Sequence, residues 1–249
     1  QGPGAQGYDF CDYVMNTTNP TQTWTVVSAD FREGAYTAVA YDSFPSYFPA
    51  PIDDAGTLVQ WLKDNSAEYG IDPAKIVLFG SSAGGTNAVV SSLRISRPYS
   101  PVVGSNLHKY RSNSIPKAVI NLRGIIDFRY DAGVAEETWD YTKWPYLFGH
   151  SQVDGGLEWS ARNELKSAAS ALMYLERDEI ITAPDGIFSV YFTTSADSKP
   201  WDNIHHSEQA SLFHTALTAK GITNGYIDDI SAWDEATSSE VLIFIEALL

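Results

Sequence analysis

The stretch Lys75-Ile76-Val77-Leu78-Phe79-Gly80-Ser81-Ser82-Ala83-Gly84-Gly85-Thr86 decides the fold. Lys75 to Phe79 is a short apolar run of the kind that fills a parallel sheet covered on both faces. Thr86 to Ile95 has helical spacing, with Val89, Val90 and Leu93 on the inward face. Only small residues lie between. A strand that passes into a helix through Gly80-Ser81-Ser82-Ala83-Gly84 matches the strained turn that presents a serine as a nucleophile. Bulky neighbours would not fit such a turn, and Ser81, Ala83, Gly84 and Gly85 are all small. Ser82 at its tip is the candidate nucleophile, with its hydroxyl expected in solvent above the sheet. The helix that follows aims its N-terminal N–H groups at the same place, which makes the Ala83 N–H a candidate oxyanion donor. Gly80 to Gly85 does not read as a phosphate loop. Its glycines miss the Gly-x-Gly-x-x-Gly spacing, and no lysine follows.

Outward from this turn, strands and helices alternate. Upstream, Trp24 to Ser28 reads as a buried strand, residues 33–51 as loop, and Ile52 to Tyr69 as a helix stopped by Gly70. Downstream, strands are expected at Lys117 to Leu122, Ile187 to Phe192 and Gly225 to Ile230. Helices are expected near 159–175 and at His206 to Lys220 and Ser238 to Leu249. The alternation implies a doubly wound, mostly parallel α/β sheet. No repeat or linker divides residues 1–249, which read as a single domain with 123–180 an irregular, cap-like insert.

The 249 residues are 44% hydrophobic and 19% charged, a globular composition with no apolar run near the length of a membrane span. The formal charge of −15 repels phosphate backbones and polyanionic substrates, so a nucleic-acid partner is not expected. A small neutral ester or another apolar ligand suits the surface better. Cys11 is the single cysteine, which excludes an internal disulfide and a Cys-rich zinc site. The sequon Asn16-Thr17-Thr18, the seven Trp and the fourteen Tyr have the flavour of a secreted protein. The chain opens on Gln1-Gly2-Pro3-Gly4 without a basic and apolar leader, as expected if a leader or longer segment has been removed.

Several stretches carry a family resemblance: Phe48-Pro49-Ala50-Pro51-Ile52-Asp53-Asp54-Ala55, Trp61-Leu62, Tyr69-Gly70-Ile71-Asp72-Pro73 and Ile76 through Gly85. Together they resemble the carboxylesterases of the α/β-hydrolase fold, in particular the hormone-sensitive-lipase-like and feruloyl- or acetyl-esterase-like groups. Asp30-Phe31-Arg32 resembles the Asp-Tyr-Arg that follows a strand in that family. Tyr146-Leu147-Phe148-Gly149 and Ser167-Ala168-Ala169-Ser170 resemble the segment before the acid-bearing strand, and Ser195-Ala196-Asp197 the loop with the catalytic acid.

The resemblance implies an acyl-enzyme mechanism without metal or cofactor, with triad members in the order Ser, Asp or Glu, His. Ser82 and Asp197 take the first two places, with Asp202 a weaker candidate acid. The third place is irregular. Histidine is expected in the loop Ile230-Ser231-Ala232-Trp233-Asp234-Glu235-Ala236, which has none, and Asp234 stands about where it would be. A carboxylate is a weak base toward a serine hydroxyl at neutral pH. His205 and His206, eight and nine residues after Asp197 at the expected start of the next helix, are the candidate replacements. His214 reads as packing beside Phe213; His108 and His150 fall in less regular stretches. Gln1-Gly2-Pro3-Gly4 resembles the family's oxyanion loop, so Gly4 and Gly2 join Ala83 as candidate donors. Pro3 has no N–H, and a lost donor typically lowers the rate ~100–1000-fold. The three strands that usually precede this loop are absent. The chain is therefore either a piece of a longer protein, with a missing segment or second chain, or a sheet shortened at one edge. Two functional readings follow: a serine carboxylesterase with a displaced histidine, or a catalytically impaired homologue that kept the fold for binding.

Overall fold

The computed structural model describes residues 5–17, 23–32, 48–95, 114–129, 166–177, 183–192, 208–230 and 233–249. Helix α1 (Ala5–Asn16) comes first, followed by α2 (Ala50–Asp64) and the single turn α3 (Ser66–Tyr69). Then come β1 (Val77–Ser81), α4 (Ala83–Ile95), β2 (Ala118–Leu122), α5 (Ala171–Glu176) and β3 (Gly186–Phe192). The chain ends with α6 (Glu208–Ala219), β4 (Asn224–Ile230) and α7 (Glu235–Glu246). The four strands pair in parallel in the order β1-β2-β3-β4.

The buried apolar side chains of the strands divide between two layers. Leu78, Val119, Ile187 and Tyr191 face α2, α4, α5 and α6, where Val59, Val89, Leu93, Phe213 and Leu217 are buried. Ile120, Leu122, Phe188 and Val190 face α1 and α7, where Phe10, Val14, Val241, Leu242 and Ile245 are buried. The alternation puts apolar residues on both faces of β2 and β3, as a sheet covered on both sides requires. Phe10 ties α1 to the sheet, with its ring stacked on Phe79 at 4.8 Å and edge-on to Trp233 at 5.8 Å.

Three sequence expectations change. Trp24 to Ser28 is not a strand, because residues 23–32 pair with none among the described residues. β-branched residues suit a strand only where a neighbouring strand supplies the ladder. Val26 and Val27 are 41% and 45% exposed, Trp24 leans on the α1 and α7 layer, and Arg32 grips Asp54 of α2 at 2.7 Å. The helix expected over 52–69 is two helices. The break falls at Asn65, whose φ of −105° and ψ of 12° leave the helical region, while its side-chain amide donates to the Trp61 carbonyl at 2.8 Å. The elbow strand ends two residues later than its apolar run. Gly80 and Ser81 still pair with Asn121 and Leu122, so the ladder reaches the turn itself.

Candidate active site

β1 ends at Ser81 and α4 begins at Ala83, so Ser82 alone makes the turn. Its φ is +51°, a left-handed conformation uncommon outside glycine. The Ser82 N–H donates to the Leu122 carbonyl at 2.8 Å, and its own carbonyl accepts from the Thr86 N–H at 3.0 Å. The strained residue is thus held from both the next strand and the next helix. Ser82 and Ala83 are exposed, at the carboxyl end of the sheet. Ala83 is the first residue of α4, whose leading N–H groups have no acceptor within the helix. A second left-handed residue, Arg123 at φ +57°, follows β2 immediately beside this turn.

The glycines of the elbow differ in purpose. A Cβ on Gly80 would collide with the Gly84 carbonyl, which is how closely α4 descends onto β1. A Cβ on Gly85 would run into Asn121 Oδ1 and the Gly80 carbonyl. A Cβ on Gly84 would meet nothing within 4 Å. The second glycine of the Gly-x-Ser-x-Gly pattern is therefore spatially dispensable, and Gly85 next to it is not. This corrects the expectation that all the small residues of the turn answer to crowding.

Behind the elbow lies a polar framework that the sequence reading missed. Asn121 is fully buried in β2, accepts from the Gly124 N–H at 2.8 Å, and donates toward Ser189 Oγ at 3.4 Å. Tyr191 donates to the Gly124 carbonyl. Burial pushes its phenol well above the usual range, although a bond with Asn121 pulls the other way, so it stays a proton donor. Thr86 Oγ1 accepts from the Ile125 N–H at 2.8 Å. Asp127 and Arg129 form a two-toothed pair at 2.8 and 2.9 Å, extended by Glu176. Burial opposes the Arg129 charge, and bonds to Asp127 and Glu176 more than offset that. A signal for part of this framework stands in the sequence, since Asn121 interrupts the otherwise apolar Ala-Val-Ile-Asn-Leu strand.

The remaining sequence candidates divide by position. Asp197, Asp202, His205, His206, Gly2, Gly4, Pro3, His108 and His150 lie outside the described residues. Within them the one histidine is His214, on α6. Its Nδ1 meets Asn224 Oδ1 and its ring lies 4.4 Å from Tyr226. Asn224 opens β4, at the end of the parallel sheet opposite Ser82 and three strands away, roughly 14 Å by strand spacing alone. His214 is therefore not a base for Ser82. Asp234 does sit at the carboxyl end of β4, but as the N-cap of α7. Its Oδ1 accepts from Thr237 N and Thr237 Oγ1, each at 2.8 Å. The Thr237 backbone N–H, then the hydroxyl, hold the carboxyl below its ordinary pKa, so it is a poorer base than an ordinary aspartate. Among the described residues, no group of three or more His, Cys, Asp or Glu could hold a metal, and no helix is long and apolar enough to cross a membrane.

A left-handed serine between a parallel strand and a helix, on a doubly wound sheet, defines an α/β-hydrolase. The chain belongs to the BD-FAE family, an α/β-hydrolase esterase family, which matches residues 11–181. It is 39% identical over 70 residues to an arylesterase of Saccharolobus solfataricus, covering 28% of this chain and 20% of that protein. It is 35% identical over 81 residues to the carboxylesterase NlhH of Mycobacterium tuberculosis, covering 32% of this chain and 24% of that one. These matches span only about a fifth to a quarter of the relatives' lengths. Among solved structures, a truncated carbohydrate esterase from gut microbiota superposes with a TM-score of 0.59 at 16% identity, covering 81% of this chain and 69% of that one. The butyrate-bound esterase Est2 of Thermogutta terrifontis gives 0.51 at 18% identity, covering 82% and 66%. At such identities the likeness establishes the fold.

Proposed function

We propose that the protein is a serine carboxylesterase that cleaves small neutral esters through an acyl-enzyme on Ser82. The observation that carries the reading is the backbone of Ser82, held at φ +51° at the open end of the sheet with the N-terminus of α4 behind it. Strain of this kind persists where surrounding bonds enforce it, and here Leu122 and Thr86 do so. In the proposed sequence, Ser82 Oγ attacks the ester carbonyl and loses its proton to His206 or His205, which Asp197 orients. The Ala83 N–H, with Gly4 or Gly2, receives the oxyanion. The alcohol leaves with the proton, and water then releases the acid by the same route. The esterase names borne by the relatives and the net charge of −15 support a neutral ester over an anionic one.

A second reading is a homologue that binds and does not turn over. It is favoured by Asp234, which stands about where the family resemblance places the base and is committed to capping α7. One experiment separates the two. The folded protein is treated with a fluorophosphonate, and p-nitrophenyl acetate is followed for a burst. The esterase reading expects the label on Ser82 and a burst that Ser82→Ala abolishes while the melting temperature stays unchanged. Folded protein with Ser82 unlabelled and no burst would refute it.

A further inference from the structure

The turn after β2 is held mainly from outside itself. Its Ile125 N–H goes to Thr86 Oγ1 on α4, and its Phe128 N–H goes to Ser170 Oγ at 2.9 Å. Between these, the Ile126 and Asp127 N–H groups both donate to one atom, Oε1 of Gln209, at 2.9 and 3.0 Å. Gln209 is 2% exposed and lies in the first turn of α6, more than eighty residues along the chain. A buried amide oxygen that takes two main-chain donors fixes both partners, because each donor would otherwise be left without an acceptor in a dry interior.

The same turn leads to the nucleophile. Thr86 Oγ1 accepts from Ile125, and Thr86 N–H donates to the Ser82 carbonyl, so a continuous line of hydrogen bonds and peptide units runs from Gln209 to Ser82. Gly124 in this turn touches α4 directly. A Cβ on it would strike Thr86 N and the Gly85 carbonyl carbon, so the two backbones move together or not at all. Gln209 also stands three residues after His206 in the sequence.

We propose that Gln209 is a positioning residue for Ser82. Its carboxamide oxygen holds the 124–128 turn against the first turn of α4, and thereby keeps the nucleophile's backbone in its left-handed conformation. The inference rests on the serine-esterase reading. Gln209 acts through the turn and through Thr86.

The test compares Gln209→Met, which fills the space without an acceptor, with Gln209→Glu, which restores one. Each is assayed at a temperature where circular dichroism shows it folded. Misplacement of a reacting group by about 1 Å lowers turnover by up to ~100-fold, so Gln209→Met is expected to lose at least ~10-fold in kcat on p-nitrophenyl acetate with KM nearly unchanged. Gln209→Glu should return to within a few-fold of the parent. If Gln209→Met does not fold, Gln209→Asn, which withdraws the amide by one methylene, takes its place with the same expectation. A folded Gln209→Met with full kcat would overturn the proposal, as would a Gln209→Glu no better than Gln209→Met. Amide exchange supplies a readout that needs no turnover. The Ile125 and Thr86 amides should exchange faster in Gln209→Met along with those of Ile126 and Asp127, and acceleration confined to the latter two would refute the coupling. Absence of a burst in the unsubstituted protein would instead count against the esterase reading, and exchange would still decide the coupling.

Discussion

Gly84 and Gly85 are adjacent, both lie in the first turn of α4, and neither has a positive φ. Substitution by alanine should nevertheless act in opposite directions. At position 84 the new methyl meets nothing within 4 Å. Alanine is favoured over glycine in a helix by ~1 kcal/mol, so Gly84→Ala should raise the unfolding free energy by about 0.5–1 kcal/mol. At position 85 the methyl would meet Asn121 Oδ1, the Gly80 carbonyl oxygen at 2.9 Å and the Gly124 Cα at 3.2 Å. Two of these three are main chain and cannot swing aside, and the third is a buried amide already bonded to Gly124. Overpacking of this kind costs about 1–3 kcal/mol, less the helical gain. Urea denaturation monitored by tryptophan fluorescence gives both differences directly, and the rate of Ser82 labelling reports the turn. Gly85→Ala should label more slowly because α4 must lift from β1, while Gly84→Ala should label as the parent does. The reasoning fails if Gly85→Ala is stabilised as much as Gly84→Ala, or if the two label at the same rate.

Other expectations follow from single side chains. Ser170→Ala removes the acceptor of the buried Phe128 N–H and a donor to the Lys166 carbonyl, and should lower stability by about 1–3 kcal/mol in the same denaturation assay. Asp234→Asn should weaken the α7 cap in a pH-dependent way. The Asp234 carboxyl is held below its ordinary value of 3.8, so its ionised form stabilises the fold above that pH, and the advantage is lost as pH falls through the lower folded value. Melting temperatures of parent and variant should therefore differ near neutrality and converge as the pH drops below about 4. Constant separation from pH 7 to 3 would contradict this account.

Much of the fold was legible because β2, β3 and α4 carry their burial in their residue pattern. Runs such as Lys117–Leu122 and Ile187–Phe192 carry apolar residues on both faces of the strand, with Asn121 and Ser189 as polar exceptions, and a sheet covered on both faces asks for that. Ser82 was legible because the turn's chemistry is local. What escaped depended on distant partners. Trp24 to Ser28 has the residues of a strand but no neighbour to ladder with among the described residues. Asn65 ends α2 by leaving the helical φ/ψ region, a choice no periodicity reveals. Gln209 looks like an ordinary polar residue on an amphipathic helix, and its role exists only because Ile126 and Asp127 arrive beneath it. The need for glycine at 85 arises from Asn121, thirty-six positions away in the chain. The position of Asp197 and of His205 and His206 relative to Ser82 lies outside the described residues.

The bond from Ser82 N–H to the Leu122 carbonyl also carries a consequence for the order of folding. β1 and α4 are contiguous in sequence and can form as a local unit, but the left-handed backbone between them is unfavourable until something outside that unit secures it. Leu122 closes β2, and its carbonyl reaches Ser82 only after Val77 to Ser81 have zipped against Ala118 to Leu122 in register. The left-handed turn therefore depends on long-range pairing as well as on the strand and helix that flank it. A β2 substitution that spared every residue near Ser82 but slipped the β1–β2 register would still remove the bond that secures its backbone.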